Sequence, residues 1–578
     1  VTRPTDPHLH GLVPGAVHDP DAVWEVTARL RLLTDTHIGA ADPYPRHAAP
    51  GEVDRLIDRD PVDGAPRLRA TTLAGLLRHH LAARLGPAGA EAVKELFGQA
   101  DPREDVDADP ERPPTMSALD LDDATGQLPR REKGGDTGET DEEPVAVRFG
   151  NRVDPDSGAV APGLLWQMEV LPAGTVFTAT MRLHTTGTTR EGRLLALLAL
   201  AADGLAGPEY GPGIRLGARS GRGLGAVRAD TWHAHRHDLR DPKGWAAFHA
   251  RTWDQRWAEA RTAVADQEAP ERAAALTACL TGAMPEPVGS AFTTTLAEFG
   301  TDQRIRDELR LTVVIGERPT AAFLPAAPEN GNGDRESQPG LILLGDTPHP
   351  ESPENTDRAH RRRPHLTHQG TVEWRPMLGD TALFSLVKRV GRRIVRDLSG
   401  QAHSLDGAAR AWHTRLWGGD LETGTPEPAR ITLRSAPAVD GGEPLRTTRT
   451  TIDALFGDTV DTRLFTDELH AGGTAEFVLD VDSPDAATRG LLGLIVRELH
   501  TVPFDGIGGG ASVGHGRVTV TGAELVCHHA DHAEAVDLIR ALREPDGRER
   551  AALAEWVAAL REALHTVDEK AGSEGSTA

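Results

Sequence analysis

The chain has 578 residues, 38% hydrophobic and 26% charged, with a formal net charge of -24, a length that allows about four domains or two larger ones with insertions. Its longest apolar run, Leu194 to Ala202, is far short of the roughly 20 residues that cross a bilayer, and the N-terminus carries Pro, Asp and His where an export signal needs a basic start, so neither a membrane partner nor export is expected. Two cysteines, Cys279 and Cys527, exclude a disulfide framework and a four-thiolate zinc site and fit a reducing cytoplasm.

In chain order, Trp24 to Leu33 alternates like a half-buried strand. Leu73, Leu76, Leu77, Leu81 and Leu85 recur at helical spacing behind Thr71 and Thr72. Gly174 to Leu183 predicts a strand, Leu194 to Leu205 a helix, and a Gly-rich hairpin leads into a last strand. Residues 233–305 hold Trp245, Trp253 and Trp257 at helical periodicity and predict a helical connector. The series then repeats: Glu308 to Ile315 as a strand, a helix through Leu383, Leu386, Val387, Val390 and Ile394 behind Thr381, a strand at Thr474 to Val481, a helix at Leu491 to Leu499, and a second Gly-rich hairpin. Strand, helix, strand, strand, helix, strand is the order of a ferredoxin-like unit. The predicted fold class is therefore α+β, with two tandem ferredoxin-like (RRM-like) domains at 21–232 and 306–525, the connector between them, and an acidic helical tail at 526–578.

Sliding the sequence on itself supports a tandem duplication. A shift of 299 pairs Asp154 with Asp453, Gly158 with Gly457, Leu165 with Leu464, Glu169 with Glu468, Gly174 with Gly473 and Thr175 with Thr474. A shift of 291 pairs Gly217 with Gly508, Gly223 with Gly514, Gly225 with Gly516 and Val227 with Val518. The charge is unevenly placed: residues 101–143 hold fifteen acids and five bases, and 526–578 eleven and six. Local basic patches therefore remain compatible with a nucleic-acid partner. Segments 101–143, 325–370 and the last ten residues have the Pro, Gly, Asn and Asp content of mobile insertions.

The strongest local signal is the loop Gly217 to Val227, with Gly217, Gly221, Gly223 and Gly225 interleaved with Arg219 and Arg222, preceded by Arg215 and followed by Arg228. Glycines let a backbone approach phosphate, and guanidinium forks donate to its oxygens. No Gly-Lys-Ser/Thr closes it as a phosphate loop would, and a strand rather than a helix follows. The bland alternative is a flexible hairpin.

Such a loop before the last strand of a ferredoxin-like domain resembles the RAMP superfamily of CRISPR-associated proteins. Leu33-Thr-Asp-Thr-His-Ile-Gly39, Gly51-Glu-Val-Asp54, Ile57-Asp-Arg-Asp-Pro61, Arg69 to Arg78, Leu96-Phe-Gly98 and Glu169 to Thr175 agree with it. Together they look most like the backbone subunit of type III effector complexes, which holds guide RNA and cuts target RNA. The resemblance is good over residues 25–231 and looser in the first half of the second copy.

The resemblance implies a catalytic aspartate at Asp54, poised to hold a divalent ion such as Mg2+ or Mn2+ or to position an attacking 2′-hydroxyl. Its partners would be guide CRISPR RNA, target RNA and other CRISPR effector subunits. Asp58 and Asp60 are less suited neighbours, and a turn cap or a pair with Arg55 or Arg59 is the plain alternative for Asp54. His37 falls on the His-Ile-Gly turn, where the resemblance implies a grip on guide RNA, against a core histidine. Arg78 with His79 and His80, and in the second copy Lys388, Arg389, Arg392 and Arg393, place bases on the helix after each first strand, where backbone phosphates or simply solvent would meet them. The second loop keeps Gly508, Gly514, Gly516 and Arg517, a frame that still fits RNA. Ahead of the second copy's helix stand Glu373 and Asp380 rather than an Asp54 equivalent, and binding without cutting is expected there. The insertion bearing Arg361 to Arg363 is expected to reach RNA rather than bind metal. Rival readings are a structural RNA-binding subunit without nuclease activity, a metal-independent guide-RNA-processing RNase using histidine, and a repeat protein whose acidic surface serves protein partners.

Overall fold

The computed structural model describes residues 20–40, 53–99, 116–132, 140–142, 145–153, 160–265, 275–316, 340–346, 348, 352–366, 372–402, 404–419, 427–501, 505–530 and 532–574. The first unit opens on β1 (Ala22–Leu32), followed by β2 (Arg67–Leu68), α1 (Ala70–Leu85), α2 (Ala90–Phe97), β3 (Leu119–Leu121), β4 (Ala124–Gln127), the small hairpin β5 (Arg130–Glu132) and β6 (Thr140–Glu142), the hairpin β7 (Ala146–Val153) and β8 (Val160–Val170), then β9 (Val176–Thr185), α3 (Thr188–Ala202) and β10 (Val227–Asp238). Its sheet runs β10-β1-β9-β4-β2, with β3 also on β9. Residues of β1 are buried on both faces, because α3 lies in the core on one side and the connector helix α5 (Trp253–Ala265) crosses β1, β9 and β10. The connector's other helices are α4 (Pro242–Ala250), α6 (Leu276–Ala283) and α7 (Glu286–Phe299). Gly192 lets α7 press onto α3, since a Cβ there would lie 2.4 Å from the Val288 carbonyl oxygen.

The second unit comprises β11 (Arg306–Ile315), β12 (Leu341–Ile342), β13 (Gly345–Asp346), β14 (Arg358–His360), the hairpin β15 (Arg362–Leu366) and β16 (Val372–Pro376), α8 (Asp380–Leu398), α9 (Gly407–Trp417), β17 (Ile431–Leu433), the hairpin β18 (Glu443–Ile452) and β19 (Thr459–Ala471), β20 (Thr474–Asp482), α10 (Ala486–Thr501), β21 (Val518–His529), β22 (His532–Asp537), α11 (Leu538–Arg543) and α12 (Arg548–Glu574). Its sheet runs β17-β20-β11-β21-β22. The opening and closing strands of both units slip register at the same place: between Arg29 and Leu30 on β1, and between Thr312 and Val313 on β11. Each slip begins at the third residue from the strand's end, so an insertion that twists the strand is placed alike in both sheets.

Three sequence expectations need correction. Leu119 and Ala124, inside the acidic segment expected to be mobile, are buried, and their strands pair with β9 and β2. The segment 325–370 contributes β12 to β15. The tail expected to be helical begins as strand, since β21 runs to His529 and β22 extends the second sheet, and only α11 and α12 beyond are helical, with Leu553, Leu560 and Leu564 of α12 buried against α10 and the second core. In each case a few apolar side chains at strand or helix spacing outweigh a polar average. Residues 101–115, 317–339 and 575–578 lie outside the described residues. Among the described residues no helix is long and apolar enough to cross a membrane.

Candidate functional site

Asp54 is exposed, and one carboxylate oxygen, Oδ2, accepts the Gln167 N–H at 2.7 Å. Arg55 continues the contact as a parallel bridge to Met168, its N–H donating to Gln167 O at 3.2 Å and its carbonyl accepting from Glu169 N–H at 2.9 Å. The Asp54 loop is thus laid along the root of the β7-β8 hairpin. Glu169 fastens it further: its carboxylate accepts from Ile57 N–H at 3.0 Å and from Arg59 at 3.2 Å. The backbone of the same residue takes His37, whose Nδ1–H donates to Glu169 O at 2.7 Å, so the neutral ring keeps its lone pair at Nε2. Only 3% of His37 is exposed, and burial, with Arg55 and Arg219 nearby, holds it below the ordinary histidine pKa. Arg219, at a left-handed φ of 60°, lays its guanidinium 3.6 Å from the centre of the Trp166 ring.

Asp58 and Asp60 are occupied locally. Asp58 is buried between Arg67 and Arg69, whose pairing outweighs burial and lowers its pKa, and Asp60 accepts from Val62 N–H at 2.8 Å in a turn. Among the described residues no group of three His, Cys, Asp or Glu side chains is gathered for a metal ion. The lone Asp54 carboxylate, with one oxygen taken by Gln167 N–H, fits a hydrated divalent ion and offers too few ligands for a protein cage.

The first glycine loop sits where its backbone is crowded. Gly217 has φ 77°, and a Cβ there would lie 2.0 Å from the His37 carbonyl oxygen, which accepts from Ala218 N–H at 2.9 Å. The loop's far side meets the second unit: Leu433 N–H donates to Gly221 O at 2.9 Å, and a Cβ on Gly223 would lie 2.7 Å from Ala436 N. Gly225 packs on Leu216 O. This corrects the expectation for Arg215, which donates to Asp480 at 3.1 Å, to Ser220 O at 2.6 Å and to Leu433 O at 2.7 Å. Its guanidinium is spent on the junction between the units and is not presented to RNA. Arg222 bridges to Leu433 and lies 5.9 Å from the Phe384 ring centre, at the same junction. Arg363, expected to reach RNA, instead pairs with buried Asp35 of the first unit at 3.3 Å, alongside Arg148 at 2.8 Å.

The basic helix of the second unit also differs from expectation. Arg389 donates to Asp505 at 3.2 Å and to Gly506 O at 2.9 Å, and Arg393 pairs with Glu498 at 2.7 Å and with Asp505. They hold the approach to the second glycine loop. Lys388 and Arg392, on the same helix, also have partners within the chain. Arg78 is half-buried on α1, His79 bonds back to Gly75 O at 2.7 Å, and His80 is buried and held by burial at a pKa of about 3.

In the second loop Gly508, Gly514 and Gly516 have φ of 83°, 90° and 79°. Gly509 N–H donates to Leu343 O at 2.8 Å as Ala218 does to His37 O, and Arg517 O accepts from Gly316 N–H at 2.9 Å. Leu343 therefore stands where His37 stands. Glu373 lies on β16 opposite His365, and Asp380 begins α8; neither takes the place of Asp54. Sequence reasoning missed Asp357, which does, because it sits at an offset of 303 from Asp54, where no shift of 299 or 291 aligns it.

A family model of the RAMP superfamily matches residues 29–228. The comparison with curated proteins found no match. Among solved structures, a chain in the apo state of a type III-B Cmr-beta assembly is similar at 14% identity and TM-score 0.27, covering 36% of this chain and 96% of that one. A chain of type III-B Cmr-beta bound to cognate target RNA is similar at 13% identity and TM-score 0.28, with the same coverage. The span matched by the RAMP superfamily model begins within β1, ends in β10 and encloses His37, Asp54, Glu169 and the first glycine loop.

Proposed function

We propose that the chain is a tandem pair of RAMP-type ferredoxin-like units acting as a guide-RNA-binding backbone subunit of a type III CRISPR ribonucleoprotein, and that it cuts target RNA at Asp54. The observation that carries this reading is the exposed Asp54 carboxylate, fixed by one oxygen to the hairpin root and flanked by Arg55, Arg59 and the Arg219–Trp166 pair. Guanidinium groups match phosphate oxygens, and an aromatic face accepts a base. In the reaction the 2′-oxygen attacks the adjacent phosphorus, its O–P bond forms and the P–O5′ bond breaks. The hydroxyl proton passes to the free Asp54 oxygen and the 5′-oxygen takes a proton from water, leaving a cyclic phosphate and a 5′-hydroxyl end. A divalent ion, when bound by Asp54 and the RNA, would supply charge neutralisation at that phosphate.

The burial of His37 weighs against the guide-processing alternative, which needs an accessible histidine. Purification of the chain with its guide, followed by incubation with a complementary RNA, tests the proposal. Asp54→Ala is expected to remove a cut end while RNA copurifies undiminished, because one exposed side chain contributes little to a phosphate-tracking interface. Unchanged cutting would leave the structural, non-cleaving reading for this unit, and absence of copurifying RNA would remove the RNA reading altogether.

A further inference from the structure

Asp357 occupies in the second unit the position that Asp54 occupies in the first. Thr466 N–H donates to Asp357 Oδ2 at 2.7 Å, and Gln167 N–H donates to Asp54 Oδ2 at 2.7 Å. The next residue forms a parallel pairing with the hairpin in each case, Arg358 with Asp467 and Arg55 with Met168. Three residues further on, Arg361 N–H donates to Leu344 O at 2.9 Å and Asp58 N–H to Ile38 O at 2.7 Å. The glycine loops close both sites from the same side, with a hypothetical Cβ lying 2.2 Å from Leu343 O at Gly508 and 2.0 Å from His37 O at Gly217.

The chemistry around the carboxylate is retained in part. Arg358 and Arg362 fall where Arg55 and Arg59 fall, Phe465 takes the place of Trp166, and Glu468 that of Glu169. Asp357 and Phe465 are exposed, so carboxylate and aromatic face are open to a strand of RNA. Missing are the histidine, replaced by Leu343, and Arg219, whose counterpart at a shift of 291 is Gly510, while the Arg358 guanidinium is held by Asp467 at 3.0 Å. A polar cavity of about 230 Å3 adjoins the site, lined by His360, Arg362, Arg375, Glu468 and His470 among others.

We infer that the second unit is a second RNA-cleaving site, with Asp357 as its reacting carboxylate, so that one chain cuts one bound target at two places. The inference rests on the proposed cleavage at Asp54. The step is the same: the 2′-oxygen bonds to phosphorus, the bond to the 5′-oxygen breaks, the hydroxyl proton goes to Asp357 and water protonates the leaving oxygen. No oxidant or reductant is involved. Because the carboxylate is held by its backbone contacts and not by the histidine, replacement of His37 by leucine at this place leaves the geometry of the aspartate intact.

The test uses the full chain with its copurified guide and an end-labelled complementary RNA. Wild type is expected to give two cut ends. Asp357→Ala and Asp357→Asn should each abolish one of them, Asp54→Ala the other, and the double variant both, with bound RNA per chain unchanged throughout. A His37→Ala variant should leave the Asp357 end in place. If Asp54→Ala alone removes every cut and Asp357→Ala removes none, the second site is refuted while cleavage at Asp54 stands. If Asp357→Ala removes an end and Asp54→Ala does not, the second site stands and the assignment of Asp54 falls.

Discussion

Arg215 of the first glycine loop donates to Asp480 of β20 at 3.1 Å, across the junction between the units, and both side chains are about nine-tenths buried. Asp480 is also held by Arg434, which pairs with Glu308 at 2.8 Å and donates to Pro208 O at 3.2 Å. A loop that reads as a phosphate cradle is therefore half scaffold. Its His37 side supports the Asp54 site and its Arg215 side welds the units.

The two ends of this pair should not be equivalent. Arg215→Ala leaves Asp480 a partner in Arg434, so the loss should be on the order of 1–3 kcal/mol. Asp480→Ala leaves the buried Arg215 guanidinium with carbonyl acceptors alone and Arg434 with Glu308 as its one carboxylate, and should cost more, about 3–5 kcal/mol. Urea unfolding of the three proteins checks the order. An Arg215→Ala protein of full stability whose RNA binding has lost salt dependence would return Arg215 to the RNA.

Glu169→Ala should loosen the Asp54 loop without touching RNA. The Ile57 N–H loses its acceptor at 3.0 Å and Arg59 its partner, a cost of about 1–3 kcal/mol for a buried donor left unsatisfied. Amide exchange at residues 55–58 should accelerate, and the rate of the Asp54 cut should fall with RNA affinity unchanged. Accelerated exchange with an unaltered cutting rate would show that Glu169 does not position the carboxylate.

Acid should act through histidine before it acts through carboxylates. Burial holds His80, His360 and His413 neutral with pKa values of about 3, below the 6.5 of an unfolded histidine. Their contribution is fully present above 6.5 and is lost as pH falls from 6.5 toward 3, by up to about 1.4 kcal/mol per pH unit for each ring. Glu25 and Glu308 are held at about 2, against the upward push of burial, by His237 and Arg251 for the first and Arg434 and Arg306 for the second. Theirs is lost only as pH falls from about 4.5 toward 2. Urea midpoints at pH 7.5, 6.5 and 5.0 should drop over the last interval, and His413→Gln should flatten that drop. A pH-independent midpoint down to 5 would contradict the buried, neutral state of these rings.

What was legible in the sequence follows from where physics leaves few choices. Gly217, Gly223 and Gly225 recur as Gly508, Gly514 and Gly516 because positive φ and close backbone approach admit little else. The leucine stripes of α1 and α8 announced two cores for the same reason, with Leu383, Leu386, Val387 and Val390 all buried. Arginine roles were not legible. Whether Arg215, Arg363 or Arg389 meets phosphate or an internal acid depends on residues more than 70 positions away that the fold brings to it. Asp357 was hidden for another reason, since loops between fixed anchors change length freely and its contact is recorded in backbone hydrogen bonds rather than in spacing.

The two glycine loops offer a last comparison, because they share a backbone shape but not a neighbour. Gly514 has φ 90° with open space around a would-be Cβ, whereas Gly223 has φ 89° and faces Ala436 N at 2.7 Å. Alanine at Gly514 should cost only the left-handed strain, about 1–2 kcal/mol. Alanine at Gly223 carries that strain and must also push the 435–436 backbone away, which breaks the Ala436 N–H contact to Gly223 O at 3.3 Å and loosens the Arg215–Asp480 pair. Unfolding of Gly223→Ala, Arg215→Ala and the double variant forms a cycle in which contacting sites typically couple by 0.5–3 kcal/mol. The same cycle with Gly514→Ala should be additive. Equal costs at both glycines, or additivity at Gly223, would mean that the first loop does not bear on the second unit in solution.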